Sequence, residues 1–361
     1  MERRKFITSG ALAASGAAAL LHAPYVIAQP KVKWRMVTTW TPALDVMQGS
    51  AELLAKRVQE MSGGRFTIEV FPAGQLMKPL DCFTEAGKGT VEAFMAASYY
   101  WAAKEPALQW FCAVPFGMNP EGMASWYYRG GGLGLWEESY AAFGLVPRPG
   151  PSTGPQMAGW FRKKINTVED LKGLRMRIPG LGGKVMSKAG ATVVLTPGGQ
   201  IYGALERGVI DASEWVGPHD DMKLGLQNTA PYYYYPGWHE PGTTLEFAFN
   251  KKAYDALPAE LKRILDEAAA AVSVYGLAEY EAANVVALAK LKSDYKDKVE
   301  ILQLPAPVLQ GLRKLAAEVL KEEAEKTPQA KRVYESFTRF QTQLGGWRRI
   351  SEGAYHDLVA V

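Results

Sequence analysis

Val32-Lys-Trp-Arg-Met-Val-Thr38 alternates along its length, and Phe66-Thr-Ile-Glu-Val-Phe71 does so again before Pro72-Ala-Gly74. Period-two alternation marks a strand with one face buried. Between them Val46, Ser50, Leu53, Leu54, Val58 and Met61 recur at helical spacing, and Gly63-Gly64 closes the run. Thr41-Pro42 fits an N-cap with proline at the first helical position. A second helix over Phe83–Ala86 and a strand over Val91–Ala97 follow. This β-α-β-α-β rhythm predicts an α/β fold built on a parallel sheet. A helix over Leu135–Phe143 and a strand over Gly144–Arg148 complete the first block.

Pro149-Gly-Pro-Ser-Thr-Gly-Pro155 reads as a punctuated crossover into a second α/β block. Strands are expected over Ala158–Arg162, Leu174–Ile178, Ala191–Leu195 and Val209–Trp215, with helices over Gly183–Ala189 and Ile201–Arg207. Thr167-Val-Glu-Asp170 has the spacing of an N-terminal cap. Tyr232–Tyr235 leads back out, and Leu245–Asn250 reads as a strand rejoining the first block. Residues 259–295, 306–325 and 328–344 carry few breakers and read as long helices. Val333, Phe337, Phe340 and Leu344 form an apolar stripe on the last. Either a second copy of the chain or the chain's own lobe would cover it.

The 361 residues carry 41 Lys+Arg against 37 Asp+Glu, a balance that excludes a nucleic-acid binder relying on a basic stripe. At the front, Arg3-Arg4-Lys5-Phe6 precedes an Ala/Gly/Leu-rich run and Val26-Ile27-Ala28. Basic region, short apolar core and small residue at the cut make residues 1–28 a signal peptide. The paired arginines favour the twin-arginine type over an ordinary secretory leader. The mature chain is expected to be soluble in a bacterial periplasm. There Cys82 and Cys112 could pair, or stay as buried thiols among their apolar neighbours.

Catalytic constellations are scarce. After the leader only His219, His239 and His356 remain, and no His-Glu-x-x-His, Cys-x-x-Cys or Gly-x-Ser-x-Gly occurs. Gly130-Gly-Gly-Leu-Gly134 lacks the third glycine of a dinucleotide fingerprint, and Gly182-Gly-Lys-Val185 lacks the Ser/Thr of a P-loop. No catalytic residue is expected.

In open α/β sheets ligands bind beyond the carboxyl ends of strands. Arg177 stands at such an end, before Pro179-Gly180, where its fork suits a small carboxylate; Arg175 reads as a surface partner of an acid. Glu214 and Trp215 end another strand before Gly217-Pro218, where a carboxylate and a backbone carbonyl suit a hard cation. Gln156 follows the first crossover and His239-Glu240 stands at the return. Together they suggest a cleft for a small anion.

Five stretches carry a family resemblance: Gln156-Met-Ala-Gly-Trp-Phe161, Leu174-Arg-Met-Arg177-Ile-Pro, Ile201-Tyr-Gly-Ala-Leu-Glu-Arg-Gly208, Ile210-Asp-Ala-Ser-Glu214-Trp215-Val-Gly-Pro and Pro231-Tyr-Tyr-Tyr-Tyr-Pro-Gly-Trp238. Over essentially the whole mature chain the sequence resembles the DctP-type substrate-binding proteins of TRAP transporters, in the branch that binds 2-oxo acids and lactate. That resemblance implies a two-lobed periplasmic binding protein fold with an inter-lobe cleft and long C-terminal helices. It divides the chain into lobe I (29–152 and 243–285), lobe II (153–242 and 286–326) and a C-terminal helical extension (327–361) that can dimerise. It implies that Gln156, Arg177, Trp215 and Glu240 touch the substrate. Gln156, Glu214, the Trp215 carbonyl and Glu240 would hold a bridging sodium or calcium ion. The ligand would be a monocarboxylate of the pyruvate, 2-oxobutyrate or lactate type, handed to the TRAP permease subunits by a homodimer. The sequence departs from the pattern at His239, where an aromatic is expected. A secreted α/β enzyme acting on an organic acid and a sugar receptor using its aromatic residues are the alternative readings.

Overall fold

Two separate sheets organise the chain. The computed structural model describes residues 31–359, and everything from Lys33 onward belongs to one unit. The signal peptide expected over 1–28 lies outside the described residues. Eleven strands are present among them: β1 (Val32–Thr38), β2 (Phe66–Phe71), β3 (Ala93–Ala96), β4 (Leu145–Gly154), β5 (Gly159–Phe161), β6 (Arg175–Arg177), β7 (Thr192–Val194), β8 (Ala212–Ser213), β9 (Tyr232–Tyr235), β10 (Thr243–Asn250) and β11 (Glu300–Gln303). The first sheet has the order β2-β1-β3-β10-β4 and the second β11-β9-β5-β8-β6-β7. The chain passes from the first sheet to the second between β4 and β5, and returns between β9 and β10. The 36-residue helix Ala259–Asp294 carries it across again, toward β11. The molecule is therefore a two-lobed α/β protein with long C-terminal helices.

The sheets are mixed where the rhythm predicted parallel pairing. β1 and β3 run parallel, but β10 returns antiparallel between β3 and β4. A strand that re-enters from the other lobe arrives from the opposite end, so its direction is set by the crossover. The crossover is also shorter than expected. Pro149–Gly154 continues β4, whose only neighbour among the described residues is β10. An edge strand needs no amide hydrogens on its outer side, so proline is tolerated there. The first helix begins at Asp45, not at Pro42, because Thr41–Leu44 forms a turn closed by the Leu44 N–H on the Thr41 carbonyl at 3.1 Å. Sequence reading missed helix Pro120–Arg129 and β11. The capping box of Thr167 and Asp170 is present, on a 3-10 turn.

Each lobe has its own core. One gathers Phe83, Phe94, Trp101, Trp110, Phe111, Trp126 and Trp136; the other Phe161, Met176, Ile178, Val185, Leu304 and Val308. The C-terminal stripe belongs to the first. Val333 and Phe337 are fully buried, with Phe337 edge-on to Trp126 at 5.2 Å. Phe340 and Leu344 lie over Gly130 and Gly122, where an added Cβ would sit within 2.8 Å of them. The stripe thus packs inside its own chain. Cys82 and Cys112 are free, buried thiols, pushed up in pKa by burial. No helix among the described residues is long and apolar enough to cross a membrane.

Candidate functional site

Hydrogen bonds between the two crossovers bring distant positions together. The Gln156 N–H donates to the Glu240 carbonyl (3.1 Å), and the Gly237 N–H to the Gln156 carbonyl (2.9 Å). A Cβ at Gly237 would fall 2.1 Å from that carbonyl oxygen, so only glycine permits the approach. Parallel pairing of β6 with β8 sets Arg177 beside Ser213, and the Glu214 N–H donates to the Arg177 carbonyl at 3.3 Å. All five residues singled out from the sequence (Gln156, Arg177, Glu214, Trp215 and Glu240) are buried. Arg175, one pleat away, points outward to Asp211 at 2.6 Å.

Arg177 is about 1 % exposed. Its Nε donates to the Thr196 carbonyl (3.1 Å), and Nη1 to both the backbone carbonyl (3.2 Å) and the carboxylate of Glu214. The guanidinium lies over the Trp215 ring, 5.0 Å from its centroid. Nη2 has no partner. Burial opposes its charge most strongly, but Glu214, Tyr100, Tyr99 and Glu240 together outweigh burial and raise the Arg177 pKa. Gln156 donates its amide to Thr153 and Thr243, both at 3.2 Å, so its Oε1 faces the other way and is buried without a partner. Thr243 passes its own proton to Glu240 at 2.6 Å. Arg177 Nη2 and Gln156 Oε1 thus stand unsatisfied in a buried site, as do Trp40 Nε1, Trp215 Nε1 and His239 Nδ1, and each costs free energy until something pairs with it.

Glu214, His239 and Glu240 bring ligand-type atoms within 4.8 Å of one another. His239 Nε2 lies 3.4 Å from the Glu214 carboxylate, in the place where an aromatic was expected. Burial, and then the Glu214 charge, pushes the Glu240 carboxyl up to about 7. Two buried carboxylates beside the histidine in this cluster, with the unpartnered Gln156 Oε1 also in the site, supply oxygen donors that fit sodium or calcium better than a thiolate-seeking metal.

The first lobe closes the site with residues that sequence reading missed. Trp40 follows β1 and Tyr99 follows β3, both at carboxyl ends of parallel strands. The same strand-end rule that found Arg177 would have found them. With Tyr100, Thr153 and Thr243 they line a small cavity that Gln156, Arg177 and Trp215 also line. Burial pushes the Tyr99 and Tyr100 phenols up, so both stay protonated donors. A larger surface depression of about 1000 Å³, lined by His219, Val286 and Lys290, lies elsewhere. Its size marks it less than convergent charge marks the small cavity. Asp45, on the helix Asp45–Met61, meets His219 Nε2 (2.7 Å) and Lys223 Nζ (3.1 Å) of the helix Pro218–Lys223.

Two α/β lobes joined by crossovers and closed on a buried arginine define a ligand receptor of the two-lobed binding-protein class. The chain belongs to the DctP family, described as bacterial extracellular solute-binding protein family 7, whose model matches residues 36–327. It is a transport protein and not an enzyme. It is 44% identical over 331 residues to a monocarboxylate 2-oxoacid-binding periplasmic protein of Nostoc, covering 92% of this chain and 90% of that one. Two TRAP solute-binding protein structures superpose with a TM-score of 0.88 each. One, from Pseudoalteromonas atlantica with sodium and pyruvate, is 41% identical and covers 91% of this chain and 99% of its own. The other, a dimer from Bordetella bronchiseptica with calcium and picolinate at one site, is 38% identical and covers 91% and 97%.

Proposed function

We propose that this protein is a periplasmic receptor for a small 2-oxo or 2-hydroxy monocarboxylate of the pyruvate type, bound together with a sodium or calcium ion. The observation that carries the reading is a charged donor and an acceptor left unsatisfied around one cavity: Arg177 Nη2, which calls for an anion, and Gln156 Oε1, which calls for a cation. Arg177 grips the substrate carboxylate. Gln156, Glu214, the Trp215 carbonyl and Glu240 would hold the ion, and Gln156, Trp215 and Glu240 also contact the substrate. The ion supplies positive charge that offsets the two acids and the incoming carboxylate in a poorly hydrated site. Trp40, Tyr99 and Tyr100 exclude water when the lobes meet.

The lobes are assigned as 29–152 with 243–285 and 153–242 with 286–326; β10 in the first sheet and β5–β9 with β11 in the second support this division. Export follows a twin-arginine leader over residues 1–28. Delivery is to TRAP permease subunits, as the family implies. Pairing of two chains would use the end of the 327–361 extension, where Trp347, Ile350, Tyr355 and Leu358 are exposed; light scattering tests it. For the ligand, titration calorimetry with pyruvate, 2-oxobutyrate and lactate, in sodium, in calcium and with neither, is the direct test. Micromolar or tighter binding that strengthens with one cation is expected. Absence of heat with every acid overturns the reading.

A further inference from the structure

The peptide joining Trp215 to Val216 is held from behind by a buried carboxylate outside the ligand cavity. The Val216 N–H donates to Asp221 Oδ1 at 3.0 Å. Asp221 Oδ2 accepts from Trp160 Nε1 at 2.9 Å and from the Tyr233 hydroxyl at 2.7 Å. The side chain is fully buried. Asp221 sits on the short helix Pro218–Lys223, and its neighbour Asp220 accepts from Tyr280 of the long helix at 2.8 Å. In the next peptide along the chain, the Val216 carbonyl accepts from the Met157 N–H at 2.9 Å.

In a planar trans peptide the C=O of one residue and the N–H of the next point in opposite directions. Fixing the Val216 N–H on Asp221 therefore fixes the direction of the Trp215 carbonyl. We infer that Asp221 is a positioning residue for cation binding: by anchoring the Val216 N–H it aims the Trp215 carbonyl at the ion. This rests on the reading in which that carbonyl is a cation ligand. Carbonyl ligands to hard cations depend on such outer partners for their orientation.

All three contacts reach Asp221 as donors, so the site calls for an acceptor at both oxygens. Asparagine keeps the size but has one oxygen and one amide donor. Its NH₂ would face either the Val216 N–H or the Trp160–Tyr233 pair, and the peptide would lose its anchor or the anchor its support. Tyr233→Phe removes one support and leaves the Asp221–Val216 contact in place.

The experiment measures pyruvate affinity by calorimetry with and without calcium, and again with and without sodium. It compares wild type, Asp221→Asn and Tyr233→Phe, with melting temperatures recorded alongside. Tryptophan-sensitised emission of terbium alone gives a readout independent of pyruvate. The expected result is that Asp221→Asn loses at least tenfold in the cation-dependent gain of affinity and in terbium affinity. Its cation-free pyruvate affinity stays within about twofold, and Tyr233→Phe loses less. Equal loss with and without cation points to general damage and overturns the inference, as does an unchanged gain. If Asp221→Asn does not fold, Tyr233→Phe decides: a selective loss of the cation-dependent gain supports the inference, and none overturns it. A wild type whose pyruvate affinity ignores both cations overturns the receptor reading itself. A wild type with the gain and an Asp221→Asn that keeps it overturns this inference alone.

Discussion

Arg177 donates Nη1 to both the carboxylate and the backbone carbonyl of Glu214, and this double use of one nitrogen leaves Nη2 on the same fork without a partner. A buried ion pair is weak evidence for stability, because desolvation of the two charges offsets their attraction. Here it does a different job. It keeps a guanidinium charged and oriented inside the cavity, where an exposed arginine would turn to solvent.

Replacing Arg177 with lysine keeps the charge but not the fork. A single ammonium cannot serve Thr196, Glu214 and a ligand in one plane. Hydrogen bonds to charged groups contribute about 1.5–3 kcal/mol each. Arg177→Lys should therefore weaken pyruvate binding by at least roughly tenfold in calorimetry. Binding within twofold of wild type would remove Arg177 from the proposed role.

Asp45 bridges from the helix Asp45–Met61 to His219 and Lys223 on the helix Pro218–Lys223. Asp45 is half exposed, so the bridge contributes no more than about 1 kcal/mol. Asp45→Ala should raise the ligand release rate by up to about fivefold in stopped-flow fluorescence. High salt should produce part of the same effect in the wild type. A release rate unchanged by either would show that the bridge does not latch the closed form.

Gly180 has a φ of +59°, and a Cβ there would come within 3.1 Å of Tyr99 from the opposite lobe. Gly173 has a similar φ of +72° but open space around it. Alanine at either site carries the strain of a left-handed residue, roughly 1–2 kcal/mol. Both variants should melt lower than wild type by similar amounts. Only Gly180→Ala should also lose ligand affinity, because only it holds the lobes apart. Equal affinities for the two variants would count against a closure contact at this position.

Glu246 is buried, with the Tyr140 hydroxyl donating to it, and burial lifts its carboxyl up to about 8 from an ordinary 4.5. The folded state thus holds a proton that the unfolded state has released. For such a group stability is fully present below about 4.5 and falls as pH rises toward 8. Asp220, lifted by burial to about 6, acts in the same direction. Wild type should lose stability between pH 5 and 8, and Glu246→Gln should flatten that slope by an amount on the order of a few kcal/mol. Parallel melting curves for the two proteins over this range would contradict the assignment.

Much of the local structure was legible in the sequence, because it depends on neighbours a few residues apart. Tyr232–Tyr235 was read as an outgoing segment and forms β9, and the breaker-free stretches form the helices Ala259–Asp294, Ala306–Ala324 and Pro328–Ile350. Misreadings arose where pairing decides. Proline-rich Pro149–Gly154 is strand only because it lies on a sheet edge, which no local pattern reveals. The Val333–Leu344 stripe announced an apolar face but not its cover, since periodicity does not name a partner.

The sequence by itself determined two α/β blocks, their crossovers, and an arginine and a glutamate at strand ends. Residue type and spacing suffice for that, because side-chain chemistry and backbone periodicity are local. Tertiary structure decided that Trp40 and Tyr99, far from Arg177 in the chain, close over it, and that Asp221 stands behind the Trp215 peptide. Those relationships arise from packing between elements brought together by sheet order, and long-range packing leaves no mark at a fixed sequence spacing.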